Sequence, residues 1–154
     1  VELLIVVAII GILAGLAAPF MIQAKAAANE SSAIGSLRAI NSAEANFATT
    51  CAPGGYAVNI PLLVAQNYLS PDMGFNPKSG FNFALRAGAG ATPGPVHCTG
   101  AATVTPYYAA GRPLSASTGR RAFATNSAGT IWQDITAVPP TEPFTPGPNV
   151  SPIQ

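Results

Sequence analysis

Residues 3–22 read LLIVVAIIGILAGLAAPFMI, a run without a single charged or strongly polar side chain. Twenty residues in helical conformation span about 30 Å, the hydrocarbon thickness of a bilayer. The run has no amphipathic stripe, so a helix formed from it is apolar on every side. Such a helix must be surrounded by lipid or by other apolar helices. The run therefore predicts a membrane span, the core of a helical assembly, or both in turn.

Three other interpretations compete for this run. A cleaved secretory signal has a basic start and an apolar core of about 7–15 residues, whereas here Glu2 is the only charge before a longer apolar run. The tripeptide at residues 24–26, Ala-Lys-Ala, fits a cleavage site, so this alternative stays open. A plain anchor for an extracytoplasmic domain also stays open. A buried helix of a soluble protein is disfavoured, because too little chain remains to enclose it.

The overall composition narrows the class of protein. The chain has 154 residues, of which 49% are hydrophobic and only 8% are charged, against roughly a quarter charged in ordinary soluble domains. Disordered chains combine low hydrophobicity with high net charge, so this class is excluded. A formal net charge of +1 offers no basic field for nucleic acid, and no nucleic-acid partner is predicted.

Four residues in and beside the apolar run are unusual for a simple anchor. A carboxylate such as Glu2 is costly next to an apolar span, but it sets register if it meets a cation from a neighbouring chain. Pro19 cannot donate a hydrogen bond to the carbonyl of Gly15. Gly11 and Gly15 each weaken a helix by about 1 kcal/mol relative to alanine. Residues 11–19 are therefore expected to be the softest part of the helix.

The order of these features carries a resemblance. Residues 1–14, VELLIVVAIIGILA, followed by Pro19 and a long helix, resemble the amino terminus of a mature type IV pilin or a type II secretion pseudopilin. The resemblance covers residues 1 to about 50. It implies an α+β fold, in which a long N-terminal helix packs its second half on a small antiparallel sheet. In this family a methylated Phe and two further residues precede the Val-Glu pair, and their amine is expected to neutralise Glu2 of a neighbouring subunit.

The same resemblance implies a function. The chain is expected to be a structural subunit of a type IV pilus-like filament, a homopolymer whose apolar half-helices bundle at its axis. Before assembly it would be a single-pass protein of the bacterial inner membrane, with prepilin peptidase and the pilus assembly machinery as partners. A pseudopilin of a type II secretion system is the alternative from the same family. A membrane-anchored periplasmic binding module is the rival of a different class.

Beyond the apolar run the chain becomes amphipathic and then rich in turns. Four segments are predicted: 1–24, the apolar half-helix; 25–50, an amphipathic half-helix; 51–136, a globular head; and 137–154, an irregular proline-rich tail. The stripe expected to face the head consists of Ala33, Ile34, Leu37, Ile40, Phe47 and Ala48, with Asn41 and Glu44 intruding on it. Within the head, a short helix is expected near 61–68, a flexible connection at 87–95, and strands near 81–85, 103–110, 121–125 and 130–135.

The residues that carry chemistry are few and scattered. Cys51 and Cys98 are the only cysteines, and outside the cytoplasm such a pair normally forms a disulfide. The only histidine, His97, is expected to be an ordinary loop residue. The six acidic residues stand singly, without the spacing of a metal site or of an acid–base pair. No enzyme activity, metal or cofactor is predicted.

Overall fold

The protein is described from a computed structural model covering residues 1–50 and 53–153, with Ala18 described by its backbone alone. The longest element is helix α1 (Glu2–Thr50), 49 residues without a break and therefore about 74 Å long. Pro19 lies inside it, and helical geometry continues through that position. The expected long helix is confirmed.

The two halves of α1 differ completely in burial. Every side chain described between Val1 and Lys25 is exposed, whereas from Ala26 onward a buried residue recurs every three or four positions. The buried face contains Ala26, Glu30, Ala33, Ser36, Leu37, Ile40, Ala43, Glu44, Phe47 and Ala48. This spacing is that of one helix face. The predicted stripe is confirmed, with Ile34 half-buried at its margin.

The head is a single antiparallel sheet of six strands laid against the second half of α1. The strands are β1 (Tyr56–Ala57), β2 (Phe81–Pro93), β3 (Thr103–Pro113), β4 (Ala122–Asn126), β5 (Ile131–Asp134) and β6 (Val150–Ile153). Their order is β1-β3-β4-β5-β6, with β2 also pairing with β3. A short helix, α2 (Ile60–Ala65), and a 3-10 turn (Pro71–Gly74) connect β1 to β2. The fold class is therefore α+β.

The core lies between α1 and the sheet. Leu37, Ile40 and Phe47 of the helix are fully buried in one cluster with Phe81 of β2 and Phe123 of β4. Inward-facing residues alternate along β2, where Phe81, Phe83 and Leu85 are buried and the residues between them are exposed. Alternation of this kind is what a sheet with one face on a core requires.

Two expectations are wrong, one about the head and one about the tail. The connection expected at 87–95 is largely strand, because β2 continues to Pro93 and pairs again with β3 after a register shift between Ala87 and Thr92. The tail is also not irregular throughout, because β6 returns to the sheet and pairs with β5 from Ile131↔Ile153 to Asp134↔Val150. Local composition did not predict either strand, because pairing with a neighbouring strand overrides a weak intrinsic preference for irregular structure. Pro152 is tolerated because β6 ends the strand order and is an edge strand.

A candidate assembly surface on the N-terminal half-helix

The exposed half of α1 is the most unusual surface of the described chain. Its most apolar window of 18 residues has a mean hydropathy of 2.7, and none of that window is buried. Within the described residues, α1 is the one helix long and apolar enough to cross a membrane. Soluble monomers rarely expose a contiguous apolar patch larger than a few hundred Å². The half-helix therefore needs a cover that this chain does not supply to itself.

Glu2 stands at the far end of this surface, in the first turn of α1. A carboxylate near a helix N-terminus interacts favourably with the helix dipole. The apolar side chains that follow it, beginning with Leu3 and Leu4, are exposed. Glu2 is therefore the one charged side chain described between residues 1 and 24, and it is exposed to groups from outside the chain.

Gly11, Gly15 and Pro19 lie in the middle of the same surface, all within regular helix. A Cβ atom placed on Gly11 or Gly15 would meet nothing within 4 Å. Neither glycine is therefore required by packing within the chain. In the single chain, the segment at residues 11–19 that was predicted to be soft is thus helical.

A buried carboxylate fastens the second half of α1 to the head. Glu30 accepts hydrogen bonds from the backbone N–H of Arg120 (2.7 Å) and of Arg121 (3.0 Å) and from Arg121 Nε (2.8 Å). Arg121 Nη2 lies 2.8 Å from the same carboxylate. Burial opposes ionisation of Glu30, but these hydrogen bonds outweigh it and hold the pKa of the carboxyl below its usual range. This clamp was not predictable from local sequence patterns, because Glu30 and Arg120 are 90 residues apart.

Asparagine side chains add two further links between the helix and the head. Asn29 donates to the carbonyl of Thr118 at 3.0 Å. Asn41 donates to the Thr125 hydroxyl and to the carbonyl of Gly129, both at 3.0 Å, and accepts from the Tyr107 hydroxyl at 2.8 Å. Asn41, which intrudes on the apolar stripe, thus has an acceptor for each of its two amide hydrogens and a donor for its Oδ1. The hydrogen bonds of Asn29 and Asn41 hold the helix against the sheet at two positions along α1.

Glu44 is the second intruding residue, and its side chain is completely buried. One carboxyl oxygen, Oε2, accepts from the backbone N–H of Ala57 at 2.8 Å, while Oε1 has no partner among the described residues. Burial raises the pKa of this carboxyl to about 8, although the hydrogen bond from Ala57 opposes the shift. The neutral, protonated form of Glu44 is therefore favoured at pH 7. It lies far from the apolar half-helix.

The residues near the distal end of α1 depart partly from expectation. His97 is in a loop, as expected, but it is buried and its ring stacks on Phe47 with 4.2 Å between centroids. Its Nδ1 lies 2.9 Å from the Thr99 hydroxyl. Cys98 follows it directly, whereas Cys51 lies outside the described residues, so their pairing stays a prediction. Phe47, on which His97 stacks, lies about 68 Å along α1 from Glu2.

The structure thus gathers Glu2, Gly11, Gly15 and Pro19 on one exposed half-helix and places Cys98 at the opposite end of the molecule. Among residues 1–50 and 53–153, no group of three or more His, Cys, Asp or Glu side chains is arranged to hold a metal. Models of known protein families, curated proteins and solved structures were all compared with this chain, and none matches.

Proposed function

We propose that this protein is the structural subunit of a type IV pilus-like helical filament, with the apolar half of α1 bundled against the same half of neighbouring subunits. The observation that carries the proposal is that one continuous helix has an exposed first half and a buried second half. Its second half is built into the head through the core and the Glu30 clamp, while every described side chain up to Lys25 is exposed. A helix about 74 Å long extends well beyond its own head.

Two environments can cover the apolar surface of such a helix, and in this proposal the protein occupies them one after the other. In the membrane, the apolar half spans the hydrocarbon region as a single pass, with all its backbone groups paired within the helix. In the filament, the same side chains exchange lipid for side chains of other copies. Neither state requires a change in the head. The inner membrane before assembly and an extracellular filament after it are therefore the proposed locations.

Glu2 gives the assembly its axial register in this proposal. A carboxylate at the end of an apolar helix is costly until a cation from another chain neutralises it. The cation proposed is the amino terminus of a neighbouring subunit. A membrane anchor for an isolated binding module has no neighbouring subunit to align with, so it would gain no register from Glu2. This residue therefore distinguishes the filament from that rival.

Electron microscopy of the full-length protein, expressed with a pilus assembly machinery, tests the proposal. The unchanged chain is expected to form filaments, whereas Glu2→Ala is expected to reach the membrane in normal amounts and yield few or none. Asp72→Ala is the matched control, because it removes an exposed carboxylate from the head. Membrane insertion of all three proteins with no filament from any of them overturns the proposal. Equal filament yield from Glu2→Ala overturns the role of Glu2.

A further inference from the structure

Three exposed cations lie at the end of the head that faces the apolar half-helix. Lys25 is on α1 itself, Arg120 precedes β4, and Arg112 is near the end of β3. None of the three is in an ion pair with any residue that the structure describes. Arg38 and Arg86 are in no such ion pair either, so it is the shared position of Lys25, Arg112 and Arg120 that distinguishes these three cations.

Contacts with neighbouring residues place all three cations at one level along α1. Arg120 donates its backbone N–H to Glu30 and, with Gln23, lines an open cavity of about 360 Å³ beside α1. Arg112 pairs with Asn82 across the β2–β3 ladder. The same end of that ladder is joined to α1, because Leu114 N–H donates to Gly80 and the Asn29 amide donates to Thr118 next to it.

This level is close to the proposed bilayer surface. Lys25 lies three residues after Ile22, and Asn29 lies seven residues after Ile22. These separations correspond to about 4.5 and 10 Å along the helix. The headgroup layer on each side of the hydrocarbon is about 5–8 Å thick, and the Debye length at physiological ionic strength is about 8 Å. Arginine side chains extend their charged groups toward an interface along flexible apolar stems. All three cations are thus within electrostatic reach of lipid phosphates.

Apolar side chains are exposed at the same end. Ile135, 57% exposed, lines the cavity beside Arg120, and Leu114, 52% exposed, begins the loop that carries Thr118. We call Lys25, Arg112, Leu114, Arg120 and Ile135 the basal surface. Exposed apolar side chains among cations are typical of surfaces that rest on a membrane interface.

The charge balance of this end is positive. Arg121 is neutralised by Glu30. Asp134, the other carboxylate nearby, already accepts from the backbone N–H and the hydroxyl of Thr136 at 2.7 and 2.6 Å. Counting Arg121 with the three cations of the basal surface against these two carboxylates leaves a net charge of +2.

We propose that the basal surface docks the head onto the anionic phospholipid headgroups of the membrane before assembly, with Lys25, Arg112 and Arg120 binding lipid phosphates and Leu114 and Ile135 entering the interface. The docked head holds α1 at a fixed depth, and this contact must break when the subunit leaves the membrane. The inference rests on the membrane-bound stage of the proposed function.

Hydrogen exchange of the full-length protein in nanodiscs tests this docking. In discs of 70% phosphatidylcholine and 30% phosphatidylglycerol, amides of residues 114–121 are expected to exchange more slowly than in pure phosphatidylcholine. High salt should remove the difference. The double variant Arg112→Gln/Arg120→Gln should lose it too, at about fivefold for each cation removed. The control Arg38→Gln/Arg86→Gln removes two cations outside the basal surface and should keep the difference.

The remaining outcomes each decide something. Protection that is equal in the two lipids, or is lost equally in the control, overturns the inference. Protection that free inorganic phosphate reproduces in pure phosphatidylcholine also overturns it, as does protection that appears only with several copies per disc. A chain that forms filaments without lipid-dependent protection disproves the docking alone. Lipid-dependent protection in a chain that never forms filaments disproves the filament alone.

Discussion

Glu30 and Arg121 form an ion pair of 2.8 Å in which the carboxylate is 8% exposed and the guanidinium 39% exposed. The carboxylate also accepts two backbone N–H groups at the start of β4. Lys78 and Asp72 form a second ion pair, on the surface of the head, with side chains 30% and 55% exposed. The chain therefore contains a pair with a buried carboxylate and a pair with an exposed carboxylate for direct comparison.

Glu30→Ala is expected to lower the free energy of unfolding of the head by about 2–4 kcal/mol, because it leaves Arg121 and two backbone donors without their acceptor. Asp72→Ala should cost far less, because solvent screens an exposed pair. Urea unfolding of the full-length protein in detergent, followed by the fluorescence of its single tryptophan, Trp132, measures both. Equal losses would show that Glu30 is not a clamp.

The buried acid Glu44 predicts that stability depends on pH. Its pKa rises from an ordinary 4.5 to about 8 on folding, so the folded state binds the proton more tightly than the unfolded state. Stability from this group is fully present below pH 4.5 and is lost as pH rises through about 8. The linkage corresponds to roughly 5 kcal/mol as an upper figure.

Glu44→Gln tests this dependence, because glutamine keeps the shape of the acid but does not titrate. We expect the variant and the unchanged protein to be similarly stable at pH 5 and the variant to be more stable at pH 9. The comparison is made by urea unfolding at both values. The control Asp72→Asn should retain the decline, since the hydrogen bond and charge of Lys78 hold the pKa of Asp72 below its ordinary range. An unchanged decline in Glu44→Gln would assign the effect elsewhere.

The predicted Cys51–Cys98 disulfide should stabilise the head mainly by restricting the unfolded chain. A loop of this length corresponds to about 4 kcal/mol in the chain-entropy model. Cys51→Ser and Cys98→Ser should each lower the free energy of unfolding by a similar amount, and the double variant should cost no more than either one. Two additive losses would instead indicate separate packing roles for free thiols.

The parts of the fold that could be predicted are those that depend on local periodicity. The unbroken apolar run and the stripe at Leu37, Ile40 and Phe47 follow helical spacing, so the length of α1 and its buried face were predictable. The strands around Phe81 and Trp132 follow alternation and turn signals in the same way.

The parts that could not be predicted depend on residues distant in sequence. Glu30 has no distinguishing sequence signal, and its role depends on Arg120 and Arg121, which the fold brings to it. Residues 150–153 belong to a proline-containing tail, and they form a strand because they pair with the edge of β5. The intrusion of Asn41 and Glu44 on the apolar stripe was visible in the sequence. Their partners, Tyr107 and Ala57, were not.

Under the proposed function, the soft segment at residues 11–19 predicts a difference between the membrane-bound and the assembled protein. In a single chain the segment is helical, but Pro19 cannot supply a hydrogen bond to Gly15 and the two glycines favour the unwound state by about 1 kcal/mol each. We expect part of this segment to lose regular helix in the filament, where contacts with neighbouring subunits compensate for the lost hydrogen bonds.

Gly11→Ala/Gly15→Ala is the variant that isolates this effect, because neither added methyl group meets an atom within 4 Å in the single chain. Circular dichroism in detergent should show equal or higher helix content than the unchanged protein, while filaments should be fewer or should have altered helical parameters by electron cryomicroscopy. Gly35→Ala is the control, since Gly35 also has free space but lies in the half of α1 that stays with the head. Density for unbroken helix from residue 3 to residue 50 in the assembled filament would contradict the prediction.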